Sequence, residues 1–217
     1  MIQSVEFYQM FLENSFGKRM VYHGAVVFGA SPKRGCEVLR VLTPMPNPTE
    51  LHEALAALHA KPLRERLRFL EWDRKRVVSA IQALCQQGLP LPGVFDEDLA
   101  RLEGLSVFQL ACYQQACLIP HGETRSYAWL AARLKKYGAE RAVGGAMRSN
   151  PFPLFIPCHR VVKKDGNLGG YMGTKSPESW QIGLKKALLE MEGLHQQPSL
   201  FTSGPARSEE LATLFIQ

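Results

Sequence analysis

Residues 141–161 read RAVGGAMRSNPFPLFIPCHRV, and this segment decides the fold class of the chain. Near its end, Cys158 and His159 follow the apolar run 152–156. A thiolate is the nucleophilic form of cysteine, and a neighbouring histidine is one of the groups that make it available near neutral pH. An isolated cysteine more often packs as a small hydrophobic residue. The adjacent imidazole and the segment before it favour a reactive thiol.

The first part of the segment predicts the second helix of a helix-turn-helix. Ser126 can cap a short helix over residues 127–134, and residues 135–138 form a turn that contains glycine. A second helix then covers about residues 139–148. Two short helices joined by a tight turn are typical of a helix-turn-helix.

The second predicted helix contains two adjacent glycines, Gly144 and Gly145, followed by Ala146. Each glycine lowers helix stability by about 1 kcal/mol relative to alanine, so the small residues serve another purpose. A helix face without side chains can closely approach either another helix or a nucleic-acid groove. The residues alone leave both interpretations open.

The excess positive charge lies in this half of the chain. The formal net charge is +6 and the pI is near 9.1. Residues 101–193 contain 13 Lys and Arg against 7 Asp and Glu, whereas the rest of the chain contains 13 of each. A basic surface is expected of a protein that neutralises phosphates, although many basic proteins bind no nucleic acid.

Residues 141–151 and 156–162 together resemble the signature of the O6-alkylguanine-DNA alkyltransferases, also called methylated-DNA–protein-cysteine methyltransferases. The resemblance extends back through residues 120–127, which read PHGETRSY, and forward through residues 166–171, which read GNLGGY. Residues 105–193 therefore look like the C-terminal domain of this family.

The resemblance implies DNA repair by direct reversal, in which an alkyl group moves from O6-alkylguanine to a cysteine sulfur. Cys158 would accept the alkyl group, His159 would deprotonate it through water, and Glu192 would orient the histidine. Glu192 is preferred to Glu190 because the family's glutamate falls seven residues after a lysine, here Lys185. These groups cannot hydrolyse the resulting thioether, so we expect a single-turnover reaction without cofactor or metal. Whether O4-alkylthymine is also a substrate stays open.

The resemblance also implies that the protein binds double-stranded DNA in the minor groove and extrudes the damaged nucleotide. Arg141 would fill the vacated space in the base stack, and Tyr127 would help guanine to leave as a neutral species. Catalysis would then involve Cys158, His159, Glu192 and Tyr127. The expected substrate-binding residues are Asn150, Val161, Tyr171 and Met172, and the expected DNA-binding residues are Arg141, Gly144, Gly145, Arg148 and Ser126.

Each expected substrate-binding residue would have its own task. Asn150 would tie the recognition helix to the active-site strand, and Val161 would offer its carbonyl to the guanine amino group. Tyr171 would line the base pocket, and Met172 would act through its backbone N–H. The glycine-rich residues 166–173 would form the loop that closes this pocket.

We expect an α+β fold with a small mixed α/β N-terminal domain and a mainly helical C-terminal domain with a winged-helix-like helix-turn-helix. The N-terminal domain, residues 1–95, is expected to be structural, with a hairpin over residues 20–42 and two helices after it. Residues 88–93 are rich in Pro and Gly and would connect the domains. Residues 96–193 would form the alkyltransferase domain, and residues 194–217 a C-terminal tail.

Two features depart from the family pattern. Residues 174–180, which read TKSPESW, form an insertion before the last helix that could reshape the pocket rim or extend into solvent. Glu140 precedes Arg141 where the family usually has a small residue. A carboxylate near phosphates opposes DNA binding, although at a helix N-terminus it interacts favourably with the helix dipole.

Three alternatives stand beside an alkyl acceptor. An alkyltransferase-like protein binds the lesion without transferring it, but such proteins lack the reactive cysteine that Cys158 supplies. A transcriptional regulator would use the helix-turn-helix, but no additional metal-binding N-terminal module is evident. A cysteine hydrolase would need an oxyanion-hole motif, and none accompanies the Cys–His pair.

Composition suggests the compartment and the oligomeric state. Five cysteines without C-x-x-C spacing favour a reducing compartment over a disulfide framework or a zinc site. The N-terminus lacks the pattern of a secretory signal, and no apolar run reaches the roughly 18 residues of a membrane helix. We expect a cytoplasmic or, in a eukaryote, nuclear monomer without membrane association.

Overall fold

The computed structural model describes residues 2–13, 19–29, 36–59, 63–64, 67–69, 73–87 and 104–194. The predicted connection over residues 88–93 and, except for Leu194, the predicted tail lie outside these residues.

An antiparallel sheet of four strands organises the first half of the described chain. The strands follow the order β1 (Ser4–Glu13), β2 (Arg19–Phe28), β3 (Cys36–Met45) and β4 (Leu67–Phe69). The predicted hairpin is confirmed as β2 and β3, whereas β1 was not predicted. The charges of both signs in residues 64–76 predict a solvated helix face. The structure instead has β4 within this run, and the apolar Leu67 of β4 is fully buried.

Two helices, α1 (Pro48–His59) and α2 (Arg74–Gln87), cover the sheet. The side chain of Asn47 accepts a hydrogen bond from the N–H of Thr49 at 2.9 Å and so caps the start of α1. Successive residues of a strand point to opposite faces. Ala25 of β2 packs in a cluster with Leu51 of α1, while Val26 packs in the cluster that includes α2. The helices therefore lie on opposite faces.

The second half is mainly helical, as predicted. Ser106 and Gln109 form a reciprocal capping box at the start of α3 (Val107–Cys117). The remaining elements are β5 (Arg125–Ser126), α4 (Tyr127–Arg133), α5 (Glu140–Arg148), a 3₁₀ turn (Cys158–Arg160), β6 (Val161–Val162), which pairs in parallel with β5, and α6 (Trp180–Met191).

The two helices predicted for the helix-turn-helix are α4 and α5. Ser126 caps α4, because its hydroxyl accepts a hydrogen bond from the N–H of Trp129 at 3.0 Å. The chain then turns through Lys135, whose φ of 54° is unusual for a residue with a side chain. The turn brings α5 back against α4 and α3.

One hydrophobic core joins the two halves. It contains Tyr8 and Ile81 from the first half together with Tyr113 and Leu188 from the second. The backbone N–H of Val41 in β3 also donates to the carbonyl of Pro151 at 3.0 Å. The N-terminal sheet therefore directly supports the segment that leads to Cys158. Among the described helices, none is long and apolar enough to cross a membrane.

Candidate active site

The active-site segment is buried from Pro151 to His159, and the side chain of Asn150 holds its backbone. The Asn150 amide donates to the carbonyl of Ile156 at 2.9 Å and accepts a hydrogen bond from the N–H of Phe152 at 2.9 Å. The same Ile156 carbonyl accepts from the N–H of Cys158 at 2.8 Å. Asn150 lies two residues after the end of α5, so these hydrogen bonds connect the end of that helix to the backbone next to Cys158.

His159 and Glu192 form a buried pair. The imidazole Nε2 lies 2.8 Å from Oε1 of Glu192, and both side chains are 1% exposed. Because a carboxylate only accepts hydrogen bonds, Nε2 carries the proton of this bond and Nδ1 keeps a lone pair. Nδ1 has no hydrogen-bond partner among the described residues. The preference for Glu192 over Glu190 therefore agrees with the geometry.

Arg160 completes this pair, and the sequence analysis gave it no role. Its guanidinium donates to both oxygens of Glu192, at distances from 2.9 to 3.2 Å, and to the carbonyl of Ile119 at 2.8 Å. Burial raises the pKa of Glu192, but the hydrogen bond from His159 and the hydrogen bonds and charge of Arg160 lower it to about 2. Glu192 is thus a fixed carboxylate at neutral pH.

The imidazole of His159 is placed to act as a base. Burial lowers the pKa of His159, and the opposing effect of Glu192 does not reverse this. The ring is therefore neutral at pH 7, with the Nδ1 lone pair available to take a proton.

The thiol of Cys158 is 6% exposed, and burial raises its pKa. Asn150, the positive charge of Lys185 and the hydroxyl of Tyr171 each lower the pKa of the thiol, in that order of strength. The Tyr171 hydroxyl lowers the pKa of the thiol even though its geometry forms no hydrogen bond with any described residue. The surroundings of the thiol therefore partly offset the effect of its burial.

Lys185, like Arg160, was assigned no chemical role from the sequence, where it served only to place Glu192 seven residues after it. Its ammonium is fully buried and donates to the carbonyls of Val161 and Leu168, each at 2.6 Å. Burial lowers the pKa of Lys185 to about 8, against the opposing influence of Cys158. The available signal was the helical spacing of Lys185 with the apolar residues Ile182, Leu188 and Leu189 of α6.

The Val161 carbonyl, which we expected to bind the guanine amino group, is thus already engaged by Lys185. A carbonyl has two lone pairs, so one remains. Val161 does not line the cavity described next.

A cavity of about 530 Å³ is lined by Cys158 and by residues of α5. It brings together eight of the predicted residues: Tyr127, Arg141, Gly144, Gly145, Arg148, Cys158, Tyr171 and Met172. His159, Glu192, Asn150, Val161 and Ser126 lie outside its lining. The expected base, His159, therefore does not line the cavity. The hydroxyl of Ser126 caps α4.

Two tyrosines face the thiol. The hydroxyl of Tyr127 donates to the carbonyl of Gly170 at 3.4 Å. Burial, followed by the influence of Cys158, raises the pKa of Tyr127 to about 12, and the same effects raise the pKa of Tyr171 well above 10. Both phenols therefore remain proton donors at neutral pH.

The glycines of α5 are not closely packed inside the protein. An added Cβ at Gly145 would meet nothing within 4 Å, and one at Gly144 would reach the Tyr127 ring at an ordinary 3.8 Å. Tight packing against another helix therefore does not explain them. Arg141 and Arg148 of the same helix are exposed at the cavity.

The insertion forms part of the cavity rim. Thr174 and Lys175 line the cavity, as does Lys163 from the strand side. Glu140 also lines it and is the one carboxylate among the lining residues. Of residues 174–180, Thr174 and Lys175 thus contribute to the cavity lining, while residues 176–178 are exposed to solvent. In the described ranges, no group of His, Cys, Asp and Glu side chains could hold a metal ion.

Known proteins resemble this chain in sequence and in fold. Residues 107–194 match the family described as "6-O-methylguanine DNA methyltransferase, DNA binding domain". The chain is 35% identical over 148 residues to the inducible methylated-DNA–protein-cysteine methyltransferase of Bacillus subtilis, a match that covers 62% of this chain and 80% of that protein. It is 43% identical over 100 residues to the methylated-DNA–protein-cysteine methyltransferase of Methanothermobacter thermautotrophicus.

The archaeal match covers 46% of this chain and 52% of its relative, so it spans about half of that protein. The crystal structure of O6-methylguanine-DNA methyltransferase from Pyrococcus kodakaraensis superposes with a TM-score of 0.58 at 22% identity. This match covers 88% of the present chain and 100% of the archaeal one, and it shows that the overall fold is shared.

Proposed function

Because this chain belongs to the methylated-DNA–protein-cysteine methyltransferase family, we propose that it repairs O6-alkylguanine in DNA by moving the alkyl group to Cys158. The observation that carries the proposal is one cavity that is lined both by the buried Cys158 and by exposed residues of α5. A base that leaves the duplex at α5 would enter this cavity and meet the sulfur. The reactive residue itself argues against a protein that only binds the lesion.

The chemistry follows from the groups around the thiol. His159 takes the proton of Cys158 at Nδ1 through a water molecule, while Glu192 and Arg160 hold the imidazole in place. A bond forms between Sγ and the alkyl carbon as the bond between that carbon and O6 breaks. Tyr127 supports protonation of the departing guanine, so that it leaves as a neutral base.

The reaction ends at the thioether. No group in the cavity lining can hydrolyse a C–S bond, so each molecule of protein would react once. O6-methylguanine is the substrate we propose, and O4-alkylthymine would be tested with it.

Binding of double-stranded DNA follows from charge and shape. In our proposal α4 and α5 act as a winged-helix-like helix-turn-helix, and the bare face of α5 enters the minor groove. Arg141 fills the gap left by the extruded nucleotide, and Arg148 contacts a phosphate. Met172 binds the base through its N–H, beside Tyr171. The protein acts as a monomer, with residues 96–193 catalytic and residues 1–95 supporting them.

The proposal is tested by incubating the protein with duplex DNA that contains one O6-methylguanine and measuring the mass of the protein. We expect one methyl group per molecule, on the peptide that contains Cys158, and none in Cys158→Ala. Cys112→Ala is the matched control, because Cys112 is also buried but lies in α3, outside the cavity lining. A methyl group on another residue, or no gain in the wild type, would contradict the proposal.

A further inference from the structure

The loop at the cavity contains a tight turn, Tyr171–Thr174, which we call the substrate turn. The N–H and C=O groups of Tyr171 and Thr174 bond to each other in both directions, each at 3.0 Å. Met172 and Gly173 between them have φ values of 48° and 89°. Positive φ at both central positions is typical of a type I′ turn, in which the first position is usually Asn, Asp or Gly.

Methionine is therefore an unfavourable residue at position 172. Its side chain has no polar group close to the backbone that would stabilise the left-handed conformation, and its Cβ makes that conformation costly. Such a conformation persists only where the surroundings hold it. The contacts of the Met172 side chain thus decide whether the substrate turn keeps its shape.

Thr43 makes such a contact from the N-terminal sheet. Its side chain is in β3, is 2% exposed, and donates from Oγ1 to Sδ of Met172 at 3.1 Å. Met172 is otherwise 36% exposed, so much of its surface faces solvent. The thioether–hydroxyl contact therefore attaches an exposed side chain to a buried strand.

The strand that carries Thr43 is itself firmly held. Tyr8 of β1 donates from its hydroxyl to the carbonyl of Leu42 at 2.7 Å. Gly24 makes room for this ring, because a Cβ there would lie 2.3 Å from Cζ of Tyr8. Val41 bonds to Pro151 on the other side of the active site. Three successive residues of β3 thus connect the sheet, the cysteine segment and the substrate turn.

We propose that Thr43 is a positioning residue, which acts through the Met172 thioether to keep the substrate turn in the conformation that presents the Met172 N–H to the damaged base. This inference rests on the proposed function of the cavity. Without the Thr43 hydroxyl, only a fraction of the molecules holds the turn in its binding conformation, and the apparent affinity for the base falls by that fraction.

The kinetic test compares Thr43→Val, which keeps the shape of the side chain and removes the hydroxyl, with the wild type in single-turnover reactions with free O6-benzylguanine. We expect the half-saturating concentration to rise about threefold, since the lost hydrogen bond is weak. The limiting rate and its pH profile should not change. Thr49→Val, on the exposed start of α1, is the matched control. A lower limiting rate with unchanged half-saturation would overturn the inference.

The same substitution in a Met172→Gly variant distinguishes a positioning role of Thr43 from general destabilisation of the protein. In Met172→Gly the backbone accepts positive φ and the thioether is absent, so Thr43→Val should have no further effect on the half-saturating concentration. An equal effect of Thr43→Val in both backgrounds would show that Thr43 acts elsewhere.

A third measurement does not depend on alkyl transfer. The N–H of Thr174 is hydrogen-bonded across the substrate turn, so its hydrogen exchange reports how often the turn opens. We expect exchange at Thr174 to be about threefold faster in Thr43→Val, while the N–H of Cys158 keeps its rate. Unchanged exchange at Thr174 would overturn the inference even if the protein repairs DNA. Faster exchange in a protein without transferase activity would show that Thr43 holds the substrate turn but would refute the proposed function, and with it the role of the turn in binding a damaged base.

Discussion

Individual residues around Cys158 have opposing effects on its reactivity. Burial raises the pKa of the thiol, and Asn150, Lys185 and Tyr171 lower it. Among these three, Lys185 contributes a full charge. Its ammonium is held by backbone carbonyls, so its charge stays at a fixed place beside the sulfur. The amount of thiolate near neutral pH should therefore depend on this lysine.

Lys185→Met tests that dependence. Without the positive charge the pKa of the Cys158 thiol rises, and a rise of one unit lowers the thiolate fraction about tenfold at pH 7. The pKa of Lys185 is about 8, so the wild type itself loses this charge as the pH rises above 8. We therefore expect the rate of reaction with O6-benzylguanine to fall about tenfold at pH 7 and the difference from wild type to narrow above pH 8.

Single-turnover rates between pH 6.5 and 9.5 provide the measurement. Lys186→Met is the control, because Lys186 is the next residue of α6 but forms a surface ion pair with Glu190. A constant ratio of wild-type to variant rates over the whole range would argue against an electrostatic role for Lys185.

Among the secondary-structure elements, α5 contains residues that lower helix stability but allow another molecule to approach the helix backbone closely. Gly144 and Gly145 have room for a Cβ in the protein alone, so their small size serves no contact within the chain. The cost in helix stability is then explained by the DNA groove that α5 is proposed to enter.

Gly145→Ala should separate these two effects. We expect it to raise the free energy of unfolding by about 0.5–1 kcal/mol, because alanine favours the helix. The added methyl group should at the same time weaken binding to duplex DNA. Urea denaturation and titration of a fluorescent duplex measure the two changes.

Gly183→Ala is a matched control for this experiment. Gly183 is an exposed glycine of α6, and an added Cβ there also meets nothing within 4 Å. It should stabilise the protein by a similar amount and leave DNA binding unchanged. Equal DNA affinity of Gly145→Ala and wild type would rule out a close approach of α5 to the groove.

The insertion is the second element with a testable role. Its residue Lys175 lines the cavity together with Lys163, and the stem of each lysine lies beside the backbone of the glycine-rich loop, at Gly170 and Gly169 respectively. We predict that these lysines contact the phosphates on either side of the nucleotide that the protein is proposed to extrude.

Lys175→Ala should weaken the salt dependence of duplex binding. Each phosphate contact that is lost lowers the slope of log K against log salt concentration by about 1. Affinities measured between 50 and 200 mM salt would show this change, and Lys186→Ala should keep the wild-type slope. An unaltered slope in Lys175→Ala would mean that the insertion does not contact DNA.

For the whole molecule, the core and the charge have different distributions. The hydrophobic core runs through both halves of the described chain, whereas the excess positive charge lies in residues 101–193. The N-terminal sheet contacts the site through Val41 and Thr43. We propose that it supports the site mechanically, while the other half carries the charge that attracts DNA.

The residue pattern alone predicts the Cys–His pair and the local elements. Cys158 and His159 are adjacent in the chain, and the helix starts at Ser106 and Ser126 depend on side chains that bond to a backbone N–H three residues away. Such interactions are encoded within a few residues, so patterns and spacing predict them. The resemblance added Glu192, which lies 33 residues from its partner His159.

Only the tertiary structure decided the contacts between distant segments. Arg160 bonds to Glu192, Lys185 takes the carbonyl of Val161, and Thr43 reaches Met172 across 129 residues. Each of these contacts depends on how sheets and helices pack and on loops that close between them, which no local pattern encodes. The nucleophile could therefore be named from the chain alone, but the groups that set its pKa and shape its pocket required the folded molecule.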